Sequence, residues 1–239
     1  MPSSDSSPRR LALVGYGKMG RLIEQLGPEY GFAVALKLDE FNNAGGEGIT
    51  REAFQGIDAA IDFSIPSRVA DNVEKIAPLG VPIVIGTTGW QQQLSRVQAA
   101  VERDKIGLVY GANFSVGVQA FFRIVDAAAR ALAAEEEYDA WAHEAHHKAK
   151  KDAPSGTMLH LLGVMESSGY KREINVATNR VGHMPGTHEI GFDSEADTIQ
   201  LVHVARNRNG FARGALRAAR WIVGKQGLYE FSTIWEQLR

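Results

Sequence analysis

Leu11-Ala12-Leu13-Val14-Gly15-Tyr16-Gly17-Lys18-Met19-Gly20 is an apolar run that ends in a G-x-G-x-x-G pattern, and helical spacing follows from Lys18 to about Leu26. A short apolar run of this kind fits a fully buried strand. In a strand, turn and helix so arranged, the first glycine permits the tight turn and the second lets backbone approach a pyrophosphate. The third lets the helix lie close to the sheet. Asp39 ends a second β-rich run, Phe32 to Leu38, nineteen residues after Gly20. A carboxylate there can accept hydrogen bonds from both hydroxyls of a ribose. Glycine loop and acid in register predict a dinucleotide site.

Working outward, further β-rich runs fall at Ala59 to Phe63, Val81 to Ile85 and Gly107 to Tyr110, with helical patterns at Arg68 to Ala77 and Gln91 to Arg103. This alternation is the sign of βαβ units and a parallel sheet, whose carboxyl-terminal strand ends bind ligands. Two such ends, Gly86-Thr87-Thr88-Gly89 and Gly111-Ala112-Asn113-Phe114-Ser115, offer small residues with room for a nicotinamide and polar groups to contact it. Glu40 beside Asp39 adds negative charge where a 2′-phosphate would need Arg or Lys, which favours NADH over NADPH. Lys37, on the same side of the strand as Asp39 by alternation, softens that preference.

From Val116 the texture changes. A long apolar helix runs to about Ala134 and is followed by Tyr138 to Ala145, a His/Lys segment, and a helix starting near Gly156. Glu173 to Val204 alternates as antiparallel strands do, broken at Gly182, Pro185-Gly186 and Gly191, and Gly210 to Gly224 and Tyr229 to Leu238 return to helical spacing. The expected organisation is a frayed Ser/Pro-rich tail at 1–9, a dinucleotide-binding domain at 10–115 and 209–239, and a second domain at 116–208. The fold class is α/β: a Rossmann-type domain plus an α+β domain with a mixed or antiparallel sheet.

The chain has 239 residues, 44% of them hydrophobic, enough for a substantial core. It has no cysteine, which excludes disulfides and thiolate metal sites and points to a reducing cytoplasm. A formal net charge of -2 argues against nonspecific nucleic-acid binding, and nothing is long and apolar enough to span a membrane.

Glu144-Ala145-His146-His147-Lys148-Ala149-Lys150-Lys151-Asp152-Ala153-Pro154-Ser155-Gly156-Thr157 brings imidazoles, lysines and a turn-to-helix anion cradle together. Imidazoles exchange protons near neutral pH, lysine supplies charge or a proton, and free N–H groups at a helix start hold carboxylates. His143-Glu144-Ala145-His146-His147 also satisfies H-E-x-x-H, but that zinc signature works only on a helix. On a strand His143 and His147 stand about 13 Å apart, too far for one metal. No metal is expected.

Glu144-Ala145-His146-His147 with Lys150 and Asp152-Ala153-Pro154-Ser155-Gly156-Thr157 resembles the signature of the dihydrodipicolinate reductase family (4-hydroxy-tetrahydrodipicolinate reductase) of the lysine and diaminopimelate pathway. Gly86 to Gly89, Asn113 to Val118, Asp62-Phe63-Ser64 with Pro66, and Phe211-Ala212 with Gly214-Ala215 resemble it too, in the right order. The resemblance implies that His146 and Lys150 handle the proton and that His147, Ser155, Gly156 and Thr157 hold a small dicarboxylate substrate. By the same resemblance Gly15, Tyr16, Gly17, Lys18, Met19, Gly20, Asp39, Gly86, Thr87, Thr88, Gly111, Ala112, Asn113 and Phe114 line NADH or NADPH, and the protein is a homotetramer paired through its second domain. The sequence departs from the family pattern in a glycine loop one residue shorter than the commoner form, and His183, His188 and His203 read as structural.

Overall fold

The computed structural model describes residues 7–238. The chain runs β1 (Arg9–Val14), α1 (Lys18–Leu26), β2 (Phe32–Leu38), β3 (Ala59–Asp62), α2 (Val69–Ile76), β4 (Ile83–Ile85), α3 (Leu94–Asp104) and β5 (Gly107–Tyr110). Then come α4 (Val116–Leu132), β6 (Asp139–His146), α5 (Gly156–Ser167), β7 (Ile174–Arg180), β8 (Thr187–Asp193), β9 (Thr198–Val204), α6 (Asn209–Ile222), β10 (Gly227–Glu230) and α7 (Phe231–Ile234). They form two compact units, one reaching Ser115 and resuming at Phe211, the other spanning Val116–Gly210. Of the tail expected at 1–9, residues 1–6 lie outside the described residues. Arg9 is not tail: it is the first residue of β1 and pairs with Phe32.

In the first unit six strands lie in the order β10-β5-β4-β3-β1-β2, all pairings parallel. Leu11 to Val14 are buried because helices cover both faces of such a sheet. Gly20, Ile23 and Leu26 form the buried stripe of α1. Gly20 inside that helix costs about 1 kcal/mol relative to Ala, and burial of Ile23 and Leu26, about 2 kcal/mol each, outweighs it. Chain order reverses between β1 and β3, which opens the ligand crevice at their carboxyl ends. Of the helical run expected at Tyr229 to Leu238, Phe231 onward is helical, in α7 and a 3-10 turn at Trp235–Gln237. Its first two residues belong instead to Gly227–Glu230, which adds the parallel strand β10 to the edge of β5. Gly-Leu-Tyr-Glu lacks the continuous apolar run that marks the other short strands, and the unpaired backbone of β5 supplies its partner.

The second unit is a four-stranded sheet ordered β7-β6-β8-β9. β8 runs antiparallel to both its neighbours, but β7 runs parallel to β6, so the sheet is mixed and Ile174–Arg180 departs from the antiparallel expectation. The reason is α5, which returns the chain to the start of the sheet as parallel pairing requires. Helices α4 and α5 cover one face, where Phe121, Phe122, Val125, Leu161 and Met165 pack on Ala140, Ala142, Ile190 and Phe192. Among the described residues no helix is long and apolar enough to cross a membrane.

Candidate active site

In the first unit, a cavity of about 560 Å³ lies over the glycine loop and is lined by Gly15, Gly17, Asp39, Glu40 and Arg68, among others. Gly15 has φ +89°, and a Cβ there would collide with the Phe63 carbonyl at the end of β3. A Cβ on Gly20 would lie 2.8 Å from the Gly15 carbonyl oxygen, whereas one on Gly17 would meet only open space. Two glycines thus close the turn and the helix contact, and the third leaves backbone bare toward the cavity. These residues fit a dinucleotide. Asp39 Oδ1 accepts the N–H groups of Phe41 (2.9 Å) and Asn42 (3.3 Å), a turn that fixes the carboxylate at the cavity.

Other expected cofactor residues are placed differently. Thr88 and Ala112 are exposed at their strand ends. Thr87 is buried, and its hydroxyl donates to Asp62 Oδ1 at 3.1 Å. Asp62 also accepts from Ser64 (2.8 Å from N, 2.7 Å from Oγ) and Asn72 (2.9 Å), a node tying the ends of β3 and β4. Burial pushes its carboxyl above the usual range, against those hydrogen bonds. Phe114 turns inward onto Phe231, ring centroids 4.5 Å apart, so its ring belongs to the core. Asn113 Oδ1 accepts the Ser115 N–H at 2.9 Å.

In the second unit, strand parity sorts the His/Lys segment. Successive residues of β6 point to opposite faces, so Ala140, Ala142, Glu144 and His146 share the helix-covered side. His143 faces the other way, with Nδ1 3.6 Å from Glu189 on β8. Asp139–His146 being a strand, the H-E-x-x-H residues never form a helical zinc grip. Register places His188 opposite Glu144 and Arg180 beside His146. Glu144, fully buried, accepts the Ser155 N–H on both oxygens (3.0 and 3.1 Å), and its Oε1 takes Arg180 Nη2 at 2.7 Å. Burial raises its proton affinity, but the Ser155 and Arg180 hydrogen bonds outweigh that and hold the carboxyl below the ordinary range.

Ser155 caps α5, its Oγ accepting the Met158 N–H at 3.1 Å and contacting His188 Nε2 at 3.2 Å. The rings of His146 and His188 stand edge-on with centroids 5.0 Å apart. Burial lowers the proton affinity of both imidazoles, bringing His188 to about 4 and His146 below its usual value. Lys150 Nζ donates to Asp152 at 2.8 Å, and that bond lowers the Asp152 carboxyl. His147 is half-buried just beyond β6, and Gly156 and Thr157 open α5.

Sequence reading missed Glu144, Arg180 and His188 as members of this cluster. The signal available was parity: Glu144 occupies a core position in line with Ala140 and Ala142, where an acid is out of place. Ligand-type atoms of Glu144, His146 and His188 lie within 4.8 Å of one another, a set that shares Glu144 with the H-E-x-x-H match but neither of its two outer histidines. Arg180 already occupies the carboxylate.

A parallel sheet with this glycine loop and acid, joined to a unit carrying a buried imidazole, a lysine and a capped helix start, defines a nicotinamide-dependent oxidoreductase. The sequence matches "Dihydrodipicolinate reductase, N-terminus" over residues 9–114 and "Dihydrodipicolinate reductase, C-terminus" over 117–234, and the chain belongs to that family, the reductases of lysine biosynthesis. The 4-hydroxy-tetrahydrodipicolinate reductase of Christiangramia forsetii is 31% identical, across 95% of this chain and 98% of the relative. That of Methanoregula boonei is 38% identical over 192 residues, 74% of each chain. A dipicolinate-bound dihydrodipicolinate reductase from a Paenisporosarcina species superposes with a TM-score of 0.77 at 22% identity, covering 95% of this chain and 99% of that one.

Proposed function

We propose that the chain reduces 4-hydroxy-tetrahydrodipicolinate to tetrahydrodipicolinate, with His146 and Lys150 handling the proton and NADH as the favoured cofactor. A bound reduced nicotinamide supplies a hydride from its C4. The glycine loop cradles the pyrophosphate on bare backbone, and Asp39 accepts the ribose hydroxyls. Negative charge from Asp39 and Glu40 disfavours a 2′-phosphate. His147, Gly156 and Thr157 hold the two substrate carboxylates, the α5 start contributing N–H groups and the positive end of its dipole, while Ser155, expected among them, is buried with its N–H on Glu144 and braces that start. His146 or Lys150 gives the proton that neutralises the charge left on the ring after hydride addition.

The observation that supports this reading best is the placement of His146 and Ser155 in one cluster. Glu144 joins the end of β6 to the start of α5, so a proton carrier and an anion cradle share a wall. The proposal includes a homotetramer assembled through the second unit and a cytoplasmic location. Assembly is supported by Ile199, Val202 and Val204, which β9 exposes at the edge of its sheet.

Coupling the protein to a dihydrodipicolinate synthase and following NAD(P)H oxidation tests the assignment. His146→Ala and Lys150→Ala are each expected to lower kcat by about 10²-fold, the scale of a positioned acid. Turnover near wild type in both variants would sink it.

A further inference from the structure

We propose that Glu144 is a positioning residue for the reduction, its carboxylate holding the His146 imidazole with a hydrogen on Nδ1 so that Nε2 exchanges the reaction's proton. This rests on the reading of His146 as a proton carrier. Glu144 has no solvent exposure, and a buried carboxylate is costly unless its charge is matched. The chain spends two partners on it: Arg180 takes Oε1 alone, and the Ser155 N–H is shared between the two oxygens, which leaves Oε2 with lone-pair capacity to spare. That oxygen faces His146 Nδ1 at 3.7 Å and His188 Nε2 at 3.8 Å.

His188 Nε2 has a nearer partner than this oxygen: it meets Ser155 Oγ at 3.2 Å, against 3.8 Å to Glu144 Oε2, so the hydroxyl engages that nitrogen first. His146 Nδ1 is sealed from solvent and has no hydrogen-bond partner. A bare Nδ1 would set its lone pair against a carboxylate, whereas Nδ1–H turns the same contact into an attraction that closes to a hydrogen bond with a small ring movement. The other nitrogen is kept clear: a Cβ on Gly186 would stand 3.1 Å from His146 Nε2, and the glycine leaves that atom uncovered.

In the step, the Nε2–H bond of the imidazolium breaks and a bond forms from that proton to the substrate atom left electron-rich by hydride addition. Neutral imidazole remains, with its hydrogen on Nδ1 toward Glu144. The charges facing His146 are Glu144 and Asp152, which favour its protonated form, and Lys150 and Arg180, which oppose it. His188, neutral at working pH, stands beside it. Removing the Glu144 charge therefore weakens the grip of His146 on its proton.

The test uses the full chain with Glu144→Gln and Glu144→Asp. In Glu144→Gln, kcat/KM at neutral pH is expected to fall about 10-fold or more, with KM changed less than about twofold. The alkaline limb assigned to His146 is expected to move down by about one pH unit, and Glu144→Asp to keep the wild-type limb. Nitrogen-15 NMR of the His146 ring should report Nδ1–H in the wild type. A folded Glu144→Gln protein with the limb unmoved shows that Glu144 only braces α5 and overturns the proposal. If Glu144→Gln does not fold, an Nε2–H tautomer in the wild type overturns it by itself. Full activity in His146→Gln would remove the underlying reading, whereas an inactive His146→Gln with an unmoved Glu144→Gln limb removes the positioning role alone.

Discussion

Lys37 lies in β2, two residues before Asp39 in the turn beyond it, and Glu24 on α1 decides what its charge can do. Glu24 pairs with Lys37 Nζ at 2.5 Å and with the Tyr16 hydroxyl, while the ammonium lies 5.0 Å from the Tyr16 ring centroid. The hydrogen bond to Glu24 raises the proton affinity of Lys37, so the lysine stays charged but already matched. A lysine so matched has little charge to lend against the Asp39 and Glu40 carboxylates. Glu24→Gln is expected to free Lys37 and raise kcat/KM for NADPH relative to NADH by about fivefold, the scale of one exposed charge contact. Side-by-side oxidation assays measure the ratio, and an unchanged ratio would show that Lys37 does not reach the 2′ position.

At the level of elements, the start of α5 joins stability to anion binding. Ser155 caps the helix through its hydroxyl and anchors Glu144 through its N–H, and it is buried. Ser155→Ala leaves the Met158 N–H without its acceptor and should cost about 1–2 kcal/mol in a urea titration. Ser155→Gly should cost a similar amount, since here the cap is buried and water cannot replace the hydroxyl. Loss of less than a few tenths in both would mean that the helix start relaxes to another partner. The element pattern was legible where the apolar period was long, as in β1, α1 and α4. It was not legible in β10, whose Gly-Leu-Tyr-Glu carries no apolar run of the kind that marks β3, β4 and β5, nor in the direction of β7. Alternation reports which residues face the core and says nothing about which way the neighbouring strand runs.

For the whole molecule, the edge strand β9 leaves Val202 at 53% and Val204 at 58% exposure, apolar surface on a strand with open backbone groups. Such an edge invites pairing with another copy. Val202→Lys is expected to shift sedimentation from a tetramer to smaller species, and a tetramer unaffected by the substitution would place the interface elsewhere. The sequence by itself determined the nucleotide-binding half, because a glycine loop and an acid at the ends of adjacent strands are local features whose spacing survives in any register. It also determined the family, through the His/Lys block and the Ser-Gly-Thr helix start. Only the tertiary structure decided the company His146 keeps. Glu144, Arg180 and His188 come from three strands and meet Ser155 of α5 through pairing register and a crossover helix. Proximity of that kind is set by how strands choose neighbours to bury one face, and linear spacing carries no record of it.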